Sequence, residues 1–263
     1  MDMPKIKIIF VDIDWTILNH NYRPGKFDKR SIRYLSRMQK KGIKVFICTA
    51  RPYHSVNQIG LLSLFKPDGL ILANGGLIIS DDKIIYESEM PVKEFESLCE
   101  LALKHKVNIE GIRPYDCFLI APKDKAIEYL FMAYPELIPP VKDYHNQKVI
   151  GATLFASKEY DDIFQANLPA NAHYFRYHDY GVDIASEPHI KGIAIKFVLD
   201  KLGYTKDEAM AIGDDFGDIS MFNEVKYSVA MGNAKEEVKK EAQYITKPVW
   251  RHGVKYIVKK LVK

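Results

Sequence analysis

The sequence contains few cysteines and no pattern that would use them together. Its 263 residues include only three, Cys48, Cys99 and Cys117, and none of them forms a CxxC pair. An odd number of widely spaced cysteines argues against a disulfide framework and against a cysteine-rich zinc site. We therefore expect three reduced thiols.

Long apolar segments are also missing. The most apolar stretch, residues 61–79, is broken by Lys66, Pro67, Asp68 and a pair of glycines, whereas a membrane-spanning helix needs about 20 apolar residues in a row. Residues 1–7 lead directly into a short strand-like pattern, without the apolar segment and small-residue cleavage site of a secretory signal. We therefore expect a cytoplasmic protein with no membrane partner.

The sequence has little excess of either charge. It contains 38 Lys and Arg residues against 34 Asp and Glu residues, for a formal net charge of +4. This balance mildly favours an anionic ligand, but the basic residues are scattered among almost as many acids, so no nucleic-acid partner is predicted. The chain is long enough for a large domain that carries a second, smaller one.

Both ends of the chain alternate β-rich runs with helical patterns, as a parallel α/β sheet requires. A predicted helix begins at Asp28, a good N-cap residue, and closes at Gly42; another ends at Gly203. The predicted strands are 7–11, 44–48, 69–72, 209–212 and 227–231, and a further helix is predicted at 234–242. Between about residues 83 and 186 the pattern changes to strands and helices with aromatic and proline-rich connections, which indicates an inserted lobe.

The first predicted strand ends in two carboxylates, Asp12 and Asp14. Residues two apart in an extended chain point to the same face. Like charges at the carboxyl end of a strand, where open α/β sheets bind ligands, are costly unless a cation or a shared proton relieves them. Carboxylate and phosphate oxygens suit Mg²⁺. We therefore predict that Asp12 attacks phosphorus as a nucleophile and that Asp14 serves as acid and base, although an isolated Asp-x-Asp pair also occurs in solvated turns.

A second acidic cluster follows the predicted strand 209–212. It contains Asp214 and Asp218, and it precedes a helical pattern. Acids from two separate strand ends can converge on one ion, with Asp214 as a direct ligand and Asp218 acting through water or as a support for the site.

Three further positions offer groups that bind phosphate. The hydroxyl of Thr49 and the N–H of Ala50 follow a predicted strand and can donate to phosphate oxygens. Lys191 lies near the start of a helix, where its charge can neutralise a transferring group. Each feature alone is also common in proteins without such a role, and Asn74-Gly75 is typical of a simple turn. The order of the set along the chain is what makes it specific.

Taken together, the motifs resemble those of haloacid dehalogenase superfamily phosphatases of the Cof-type branch, which carry a large α/β cap. The Asn74-Gly75 turn and the segment Met231-Gly232-Asn233-Ala234 match this branch as well, so the resemblance covers nearly the whole chain. The four main motifs are Asp12-Ile13-Asp14-Trp15-Thr16, Thr49-Ala50-Arg51, Lys191-Gly192 and Gly213-Asp214 with Asp218.

The resemblance implies magnesium-dependent hydrolysis of a small phosphorylated metabolite, such as a sugar phosphate, through an aspartyl-phosphate intermediate. It implies four catalytic residues, namely Asp12, Asp14, Thr49 and Lys191. Substrate or phosphate contacts are implied for Ala50, Arg51, Asn74 and Gly75. The implied Mg²⁺ ligands are Asp12, Asp14 through its backbone carbonyl, Asp214 and Asp218, where Asp218 orients Lys191 or a metal-bound water.

The resemblance also implies a domain arrangement. Residues 1–82 and 187–263 would form a Rossmann-like catalytic core with a parallel sheet, and residues 83–186 an inserted α/β cap that sets substrate specificity. Arg113, Tyr115, Arg176 and His178 are candidates for substrate contacts in this cap, and ordinary cap surface is the alternative for each.

Two positions depart from the family pattern. Most members have glycine where this chain has Trp15, and asparagine where it has Gly217. These departures leave open a binding protein with weakened catalysis. The resemblance also leaves open a phosphotransferase or phosphomutase, because similar enzymes of that kind use the same core chemistry. The sequence does not indicate an oligomeric state.

Overall fold

The computed structural model describes residues 6–169 and 172–262, and it combines helices with strands throughout. The strands are β1 (Ile8–Val11), β2 (Leu18–Asn19), β3 (Lys26–Phe27), β4 (Lys44–Cys48), β5 (Gly69–Leu72), β6 (Leu77–Ser80), β7 (Lys83–Glu87), β8 (Asn108–Ile112), β9 (Cys117–Leu119), β10 (Gly151–Phe155), β11 (His173–His178), β12 (Gly181–Ala185), β13 (Ala209–Gly213), β14 (Tyr227–Ala230) and β15 (Tyr244–Ile245). The α-helices are α1 (Lys29–Gln39), α2 (Tyr53–Gln58), α3 (Leu61–Leu64), α4 (Val92–Lys104), α5 (Lys125–Leu130), α6 (Asp161–Ala166), α7 (Lys191–Leu202), α8 (Phe216–Phe222), α9 (Glu236–Lys240) and α10 (Gly253–Leu261).

Contacts divide the described residues into two compact units. The first unit comprises residues 6–50, 60–85 and 190–262, and the second comprises residues 51–59 and 86–189 with the same gap at 170–171. The short helix α2 therefore groups with the second unit, although it follows β4 of the first unit closely in sequence.

The first unit is built on an eight-stranded sheet. Its strand order is β15-β14-β13-β1-β4-β5-β6-β7. Neighbouring strands from β15 to β5 pair in parallel, whereas β6 runs antiparallel to β5. The central strand β1 consists of four fully buried apolar residues, as expected for a parallel strand that is covered on both faces. This arrangement brings the carboxyl ends of β1, β4 and β13 to the same edge.

Helix α1 forms where the sequence predicts it. The Asp28 carboxylate accepts hydrogen bonds from the N–H groups of Arg30 and Ser31, which satisfies donors that the first helical turn leaves free. Its apolar residues Ile32, Leu35 and Met38 are buried against the sheet at helical spacing. Such a cap typically stabilises a helix by about 1 kcal/mol.

Helix α9 is shorter than predicted. It spans Glu236–Lys240, whereas the pattern predicted 234–242. The N–H of Ala234 donates to the carbonyl of Met231 in a turn, and the backbone of Lys235 is extended, so the helix begins later. Helix α7 ends at Gly203 as predicted, because this residue adopts a left-handed conformation with φ of 74°.

The second unit is built on a five-stranded antiparallel sheet with the order β11-β12-β10-β8-β9. One face of this sheet forms the main apolar core, and helices α4 and α6 contribute to it with residues such as Phe95 and Phe164. Part of the other face packs around Ile127 of α5. Glu110, Thr153 and Asp183 lie directly opposite one another on β8, β10 and β12.

The three cysteines are buried and free of disulfides, as expected from their spacing. No helix within residues 6–169 and 172–262 has both the length and the apolar character needed to cross a membrane.

Candidate active site

The site begins with Asp12, the first residue after β1. Its N–H donates to the carbonyl of Ile212 at 3.0 Å, which continues the parallel pairing of β1 with β13 by one residue. Its side chain lies at the carboxyl edge of the sheet and is only 5% exposed. The pairing of two central strands therefore fixes the backbone that carries this carboxylate.

A buried lysine joins Asp12 to a second acid. The Nζ atom of Lys191 lies 2.8 Å from Oδ1 of Asp12 and 2.7 Å from Oδ1 of Asp218. Lys191 is the first residue of α7, and the next residue, Gly192, lets this helix approach α8 closely. A Cβ atom at Gly192 would lie 2.9 Å from the carbonyl carbon of Ser220. The close contact of the two helices therefore requires glycine at this position.

Asp218 uses its other oxygen to hold the loop that carries Asp214. Its Oδ2 atom accepts hydrogen bonds from the N–H groups of Asp214 at 2.8 Å and Asp215 at 3.1 Å. A Cβ atom at Gly213 would lie 2.6 Å from the Cβ atom of Asp218, so glycine is required at the end of β13. Both oxygens of Asp218 are thus occupied by protein donors.

Asp214 completes a cluster of three carboxylates. Ligand oxygens of Asp12, Asp214 and Asp218 lie within 4.8 Å of one another. The hydroxyl of Thr16 donates to Oδ1 of Asp214 at 3.1 Å, which orients that side chain. The cluster thus joins the strand ends of β1 and β13, as the sequence analysis expected.

Burial and mutual repulsion dominate the electrostatics of this cluster. Burial raises the pKa of Asp12 to about 7, while the charge of Lys191 opposes this shift. Burial, followed by the charges of Asp12 and Asp218, raises the pKa of Asp214 to about 9. Burial alone would lower the pKa of Lys191, but Asp12 and Asp218 hold it well above its usual range. The cluster thus holds three acids but one ammonium group, which pairs with Asp12 and Asp218 only, and a further cation would relieve the repulsion.

These residues fit a divalent cation that prefers oxygen ligands. The donor set consists of carboxylates that converge within a few ångströms, as Mg²⁺ sites on phosphate-handling proteins do. Asp12 and Asp214 are the better candidates for direct ligands, because Asp218 already binds Lys191 and two backbone N–H groups.

Asp14 lies outside this cluster and contacts a residue that the sequence analysis did not single out. Its Oδ1 atom lies 2.6 Å from Nε2 of His20. No pattern in the sequence indicates this contact, because it depends on the turn between β1 and β2.

Trp15 occupies a position whose backbone conformation favours glycine. Its backbone adopts a left-handed conformation with φ of 56°, which costs most residues about 1–2 kcal/mol. Its carbonyl accepts a hydrogen bond from Nδ2 of Asn233 at 3.0 Å, and Oδ1 of Asn233 accepts one from the N–H of Val249. The indole is 36% exposed and lies beside His20, with ring centroids 5.4 Å apart. The left-handed turn after Asp14 therefore forms with tryptophan in place of glycine.

Thr49 and the Asn74-Gly75 turn link the ends of β4 and β5. The buried Thr49 accepts a backbone hydrogen bond at its carbonyl from the N–H of Asn74 at 3.1 Å. Asn74 and Gly75 both have positive φ, of 55° and 110°. A Cβ atom at Gly75 would lie 2.8 Å from the Cβ atom of Ala194 on α7. This turn is thus packed beside the helix that begins with Lys191, while Ala50 is exposed.

The family model for haloacid dehalogenase-like hydrolases matches residues 9–258, nearly the whole chain and every motif of this site. The chain belongs to this family. Its membership explains the order of the acidic motifs, and the predicted resemblance is confirmed.

Relatives and solved structures of haloacid dehalogenase-like hydrolases agree with this assignment. A putative phosphatase of Bacillus subtilis, YkrA, is 28% identical over 260 residues, which cover 97% of each protein. A hypothetical protein from Geobacillus kaustophilus HTA426 has a crystal structure that matches with a TM-score of 0.87 at 28% identity, over 97% of this chain and 98% of that one. A subclass IIB sugar phosphatase matches with a TM-score of 0.78 at 27% identity, over 97% and 98%.

Two predictions are confirmed by these findings. The fold is the α/β fold of the superfamily, with a Rossmann-like parallel-sheet core and an inserted α/β cap. The chain is an enzyme, a phosphoric monoester hydrolase of the haloacid dehalogenase type.

Three of the predicted contact residues belong to the second unit and bind groups within that unit. Arg51 belongs to the second unit, where its Nη1 atom donates to Oγ of Ser55 at 2.8 Å. Arg176 is held by Asp161 and by backbone carbonyls, and Arg113 pairs with Asp116. Gly217 faces open space, since a Cβ atom there would meet nothing within 4 Å.

Proposed function

We propose that this hydrolase is a magnesium-dependent phosphatase that cleaves small phosphate monoesters, sugar phosphates among them, through an aspartyl-phosphate on Asp12. The observation that carries the proposal is the buried cluster in which Lys191 joins Asp12 to Asp218 while Asp214 lies within 4.8 Å. A cluster of this kind suits a doubly negative phosphate, because it offers a nucleophile, a fixed positive charge and oxygen ligands for a cation.

In the proposed reaction, Asp12 attacks phosphorus and the bond from phosphorus to the ester oxygen breaks. Asp14 donates a proton to the departing oxygen, which leaves as an alcohol. Asp14 then accepts a proton from a water molecule that attacks the phosphorus, and the Asp12 carboxylate is released with inorganic phosphate.

Other residues would hold the phosphate during these steps. The ammonium of Lys191 neutralises oxygen charge, and the Thr49 hydroxyl with the Ala50 N–H donates hydrogen bonds. Asp218 positions Lys191 and the loop of Asp214. Mg²⁺, held by Asp12, Asp214 and the Asp14 carbonyl with Asp218 as a support, would supply positive charge that offsets the phosphate.

Three observations support turnover over a role in binding alone. The charged participants lie together although Trp15 replaces glycine, since the left-handed turn is retained. Gly217 leaves open space and disturbs no contact of the cluster. Lys191 keeps two carboxylate partners, so its position does not depend on a side chain at 217.

We further propose that residues 83–186, the cap, select the substrate, with Arg51, Asn74 and Gly75 contributing contacts near the phosphate. The likeness to a sugar phosphatase over 97% of this chain supports a sugar phosphate as substrate class. The fold alone would not identify the substrate, since selectivity depends on contacts to the part of the molecule that does not react.

The test is a panel of phosphate monoesters incubated with the purified protein, with Mg²⁺ or with EDTA. We expect release of inorganic phosphate that requires Mg²⁺ and is absent in Asp12→Asn. Phosphate that appears on an added sugar acceptor would instead indicate a phosphotransferase or mutase. No phosphate release above the Asp12→Asn background on any ester would contradict the proposal.

A further inference from the structure

One segment of this chain has a strong excess of basic over acidic residues, although the total charge is nearly balanced. Residues 23–44 contain nine Lys and Arg residues and a single acid, Asp28. This segment therefore carries a formal charge of +8, and the rest of the chain carries −4. The view that basic residues are scattered holds for the chain as a whole and fails for this segment.

Helix α1 presents much of this charge on one face. Arg30, Arg33, Tyr34 and Arg37 follow the helical spacing of three and four residues. Like charges at this spacing destabilise a helix, and basic residues in the first turn oppose the helix dipole. The first turn of α1 contains no acid to offset them. Arg37 lies in the last turn, where a cation favours the dipole, but the stability of the helix does not account for Arg30 and Arg33.

The same residues line an open surface cavity on the first unit, where Arg30, Arg33 and Arg37 are exposed. It has a volume of about 220 Å³, and its lining consists of Arg30, Arg33, Tyr34, Arg37 and Lys255. Four of the five lining residues are cations, and none is an acid. None of them belongs to the acidic cluster around Asp12.

The position of Lys255 in this cavity is fixed by contacts between α1 and α10. The N–H of Lys255 donates to Oγ of Ser31 at 3.0 Å. One turn earlier, Nδ1 of His252 lies 2.8 Å from Oδ1 of Asp28. These two contacts hold the start of α10 against the start of α1, so the two helices present their cations to a common space.

The described residues supply no carboxylate to the lining of this cavity. Within residues 6–169 and 172–262, none of its four cations forms an ion pair with a carboxylate. The one acid of the segment, Asp28, is buried and is occupied by the N-terminus of α1, the hydroxyl of Ser31 and His252. Four cations around a small volume without a carboxylate favour an anionic ligand.

We propose that this cavity binds a small anion with two or more adjacent phosphate groups, such as inorganic pyrophosphate or the polyphosphate of a nucleotide. Arginine forks bind phosphate oxygens through paired hydrogen bonds, and several of them suit a ligand with several negative charges. The volume is below the roughly 300–1,000 Å³ of pockets for drug-sized ligands, which favours a compact anion.

Calorimetric titration of the whole protein with pyrophosphate in EDTA tests this proposal. The variant Arg33→Gln/Arg37→Gln should bind about tenfold more weakly, equivalent to roughly 1.4 kcal/mol. The control variant Lys201→Gln/Lys240→Gln removes two exposed cations elsewhere in the first unit and should bind like the unchanged protein. Thermal melting verifies that both variants are folded.

Three outcomes would overturn the proposal. They are equal binding by the Arg33→Gln/Arg37→Gln variant, absence of pyrophosphate binding by the unchanged protein, and equal weakening in the lysine control, which would indicate diffuse attraction. The arginines would instead form a nucleic-acid surface if their substitution weakened the binding of a single-stranded oligonucleotide but not the binding of pyrophosphate. Titrations with orthophosphate and a nucleoside triphosphate distinguish the ligand sources: the triphosphate should bind like pyrophosphate, orthophosphate more weakly.

The phosphatase rate separates this inference from the proposed function. The arginines line no part of the acidic cluster, so the Arg33→Gln/Arg37→Gln variant should hydrolyse esters at the unchanged rate. A failure of the binding test would therefore leave the catalytic proposal intact, and the reverse also holds.

Discussion

Each unit of the molecule buries carboxylates, but the two units stabilise them differently. In the first unit, Asp12 and Asp218 share the ammonium of Lys191. In the second unit, Glu110 and Asp183 lie on either side of Thr153 in one row across the sheet. Within the described residues neither of these two acids forms an ion pair, and Asp183 accepts a hydrogen bond from the Thr153 hydroxyl at 3.1 Å.

The difference shows two ways in which a fold tolerates buried acids. Burial raises the pKa of Glu110 and of Asp183 to about 7 each, so these groups are partly protonated near neutrality. The first unit instead supplies a buried cation and backbone N–H groups. Burial raises the pKa of Asp12 to about 7 as well, but there the charge of Lys191 opposes the shift, whereas no cation opposes it at Glu110 or Asp183. Ionisation of these two acids therefore makes the stability of the second unit depend on pH.

The largest expected effect is the loss of the proposed nucleophile. Asp12→Asn keeps the shape of the side chain but removes the attacking oxygen's charge, so phosphate release should fall by roughly 10⁴-fold or more. Steady-state phosphate assays measure this loss. Asp162→Asn, at an exposed position of the second unit, is the matched control and should retain full activity. If Asp12→Asn were as active as the unchanged protein, Asp12 would not be the nucleophile.

Removal of the Lys191 ammonium group should leave the buried acids of the first unit without a cation, like those of the second unit. Lys191→Met leaves Asp12 and Asp218 buried without an ammonium group, and breaking a buried pair in this way costs about 3–5 kcal/mol in the free energy of unfolding. Urea denaturation measures the change.

Lys196→Met on the same helix provides the comparison. Its pair with Asp200 is exposed and screened by solvent, so this variant should unfold almost like the unchanged protein. If both variants lose equally little stability, the buried pair does not stabilise the first unit.

The acids of the second unit should show the opposite pH dependence from a salt-bridged acid. The folded pKa of Glu110 is about 7, above the 4.5 of an unperturbed glutamate, so the folded state holds a proton that the unfolded state has lost between these values. This contribution to stability is complete below about pH 4.5 and is lost as the pH rises to about 7.

Glu110→Gln tests this sign. The amide cannot ionise, so the variant should gain about 2 kcal/mol in the free energy of unfolding relative to the unchanged protein when the pH rises from 5 to 8. Urea midpoints at the two pH values measure the gain. An identical pH profile for both proteins would show that Glu110 is ionised in the folded state at pH 5.

The smallest expected effect concerns the backbone beside the charged cluster. Trp15→Gly relieves the left-handed strain but adds chain entropy in the unfolded state, so the free energy of unfolding should change by less than about 1 kcal/mol. Trp15→Val keeps the strain with a β-branched side chain, so it should be less stable than Trp15→Gly by about 1–2 kcal/mol. Thermal melting compares the two variants; equal melting temperatures would show that this turn is not under strain.

Regular elements of the first unit were predictable because local chemistry determines them. The apolar run of β1, the Asp28 cap and the glycine that ends α7 each leave a signature within a few residues. The ends of α9 were mispredicted because a turn with Met231 decides where the helix begins. Apolar periodicity does not report such turns.

The site was only partly accessible from the sequence. The acids at the strand ends were identifiable, since parallel strands bring their carboxyl ends together. The contact between Asp14 and His20 was not, because it depends on the path of the chain after β1. The grouping of Arg51 with the second unit follows from contacts that its motif does not encode. The excess of basic residues in segment 23–44 can be counted in the sequence, but the net charge of the whole chain does not reveal it.

Both oxygens of the Asp218 carboxylate bind protein groups, and this limits how a second mutation could suppress the loss of Asp218. One oxygen holds an ammonium group and the other holds two peptide N–H groups on a different segment. Asp218→Ala removes both attachments, and a compensating change elsewhere would have to restore both of them. In a suppressor screen, we therefore expect an inactive Asp218→Ala variant to regain activity by reversion.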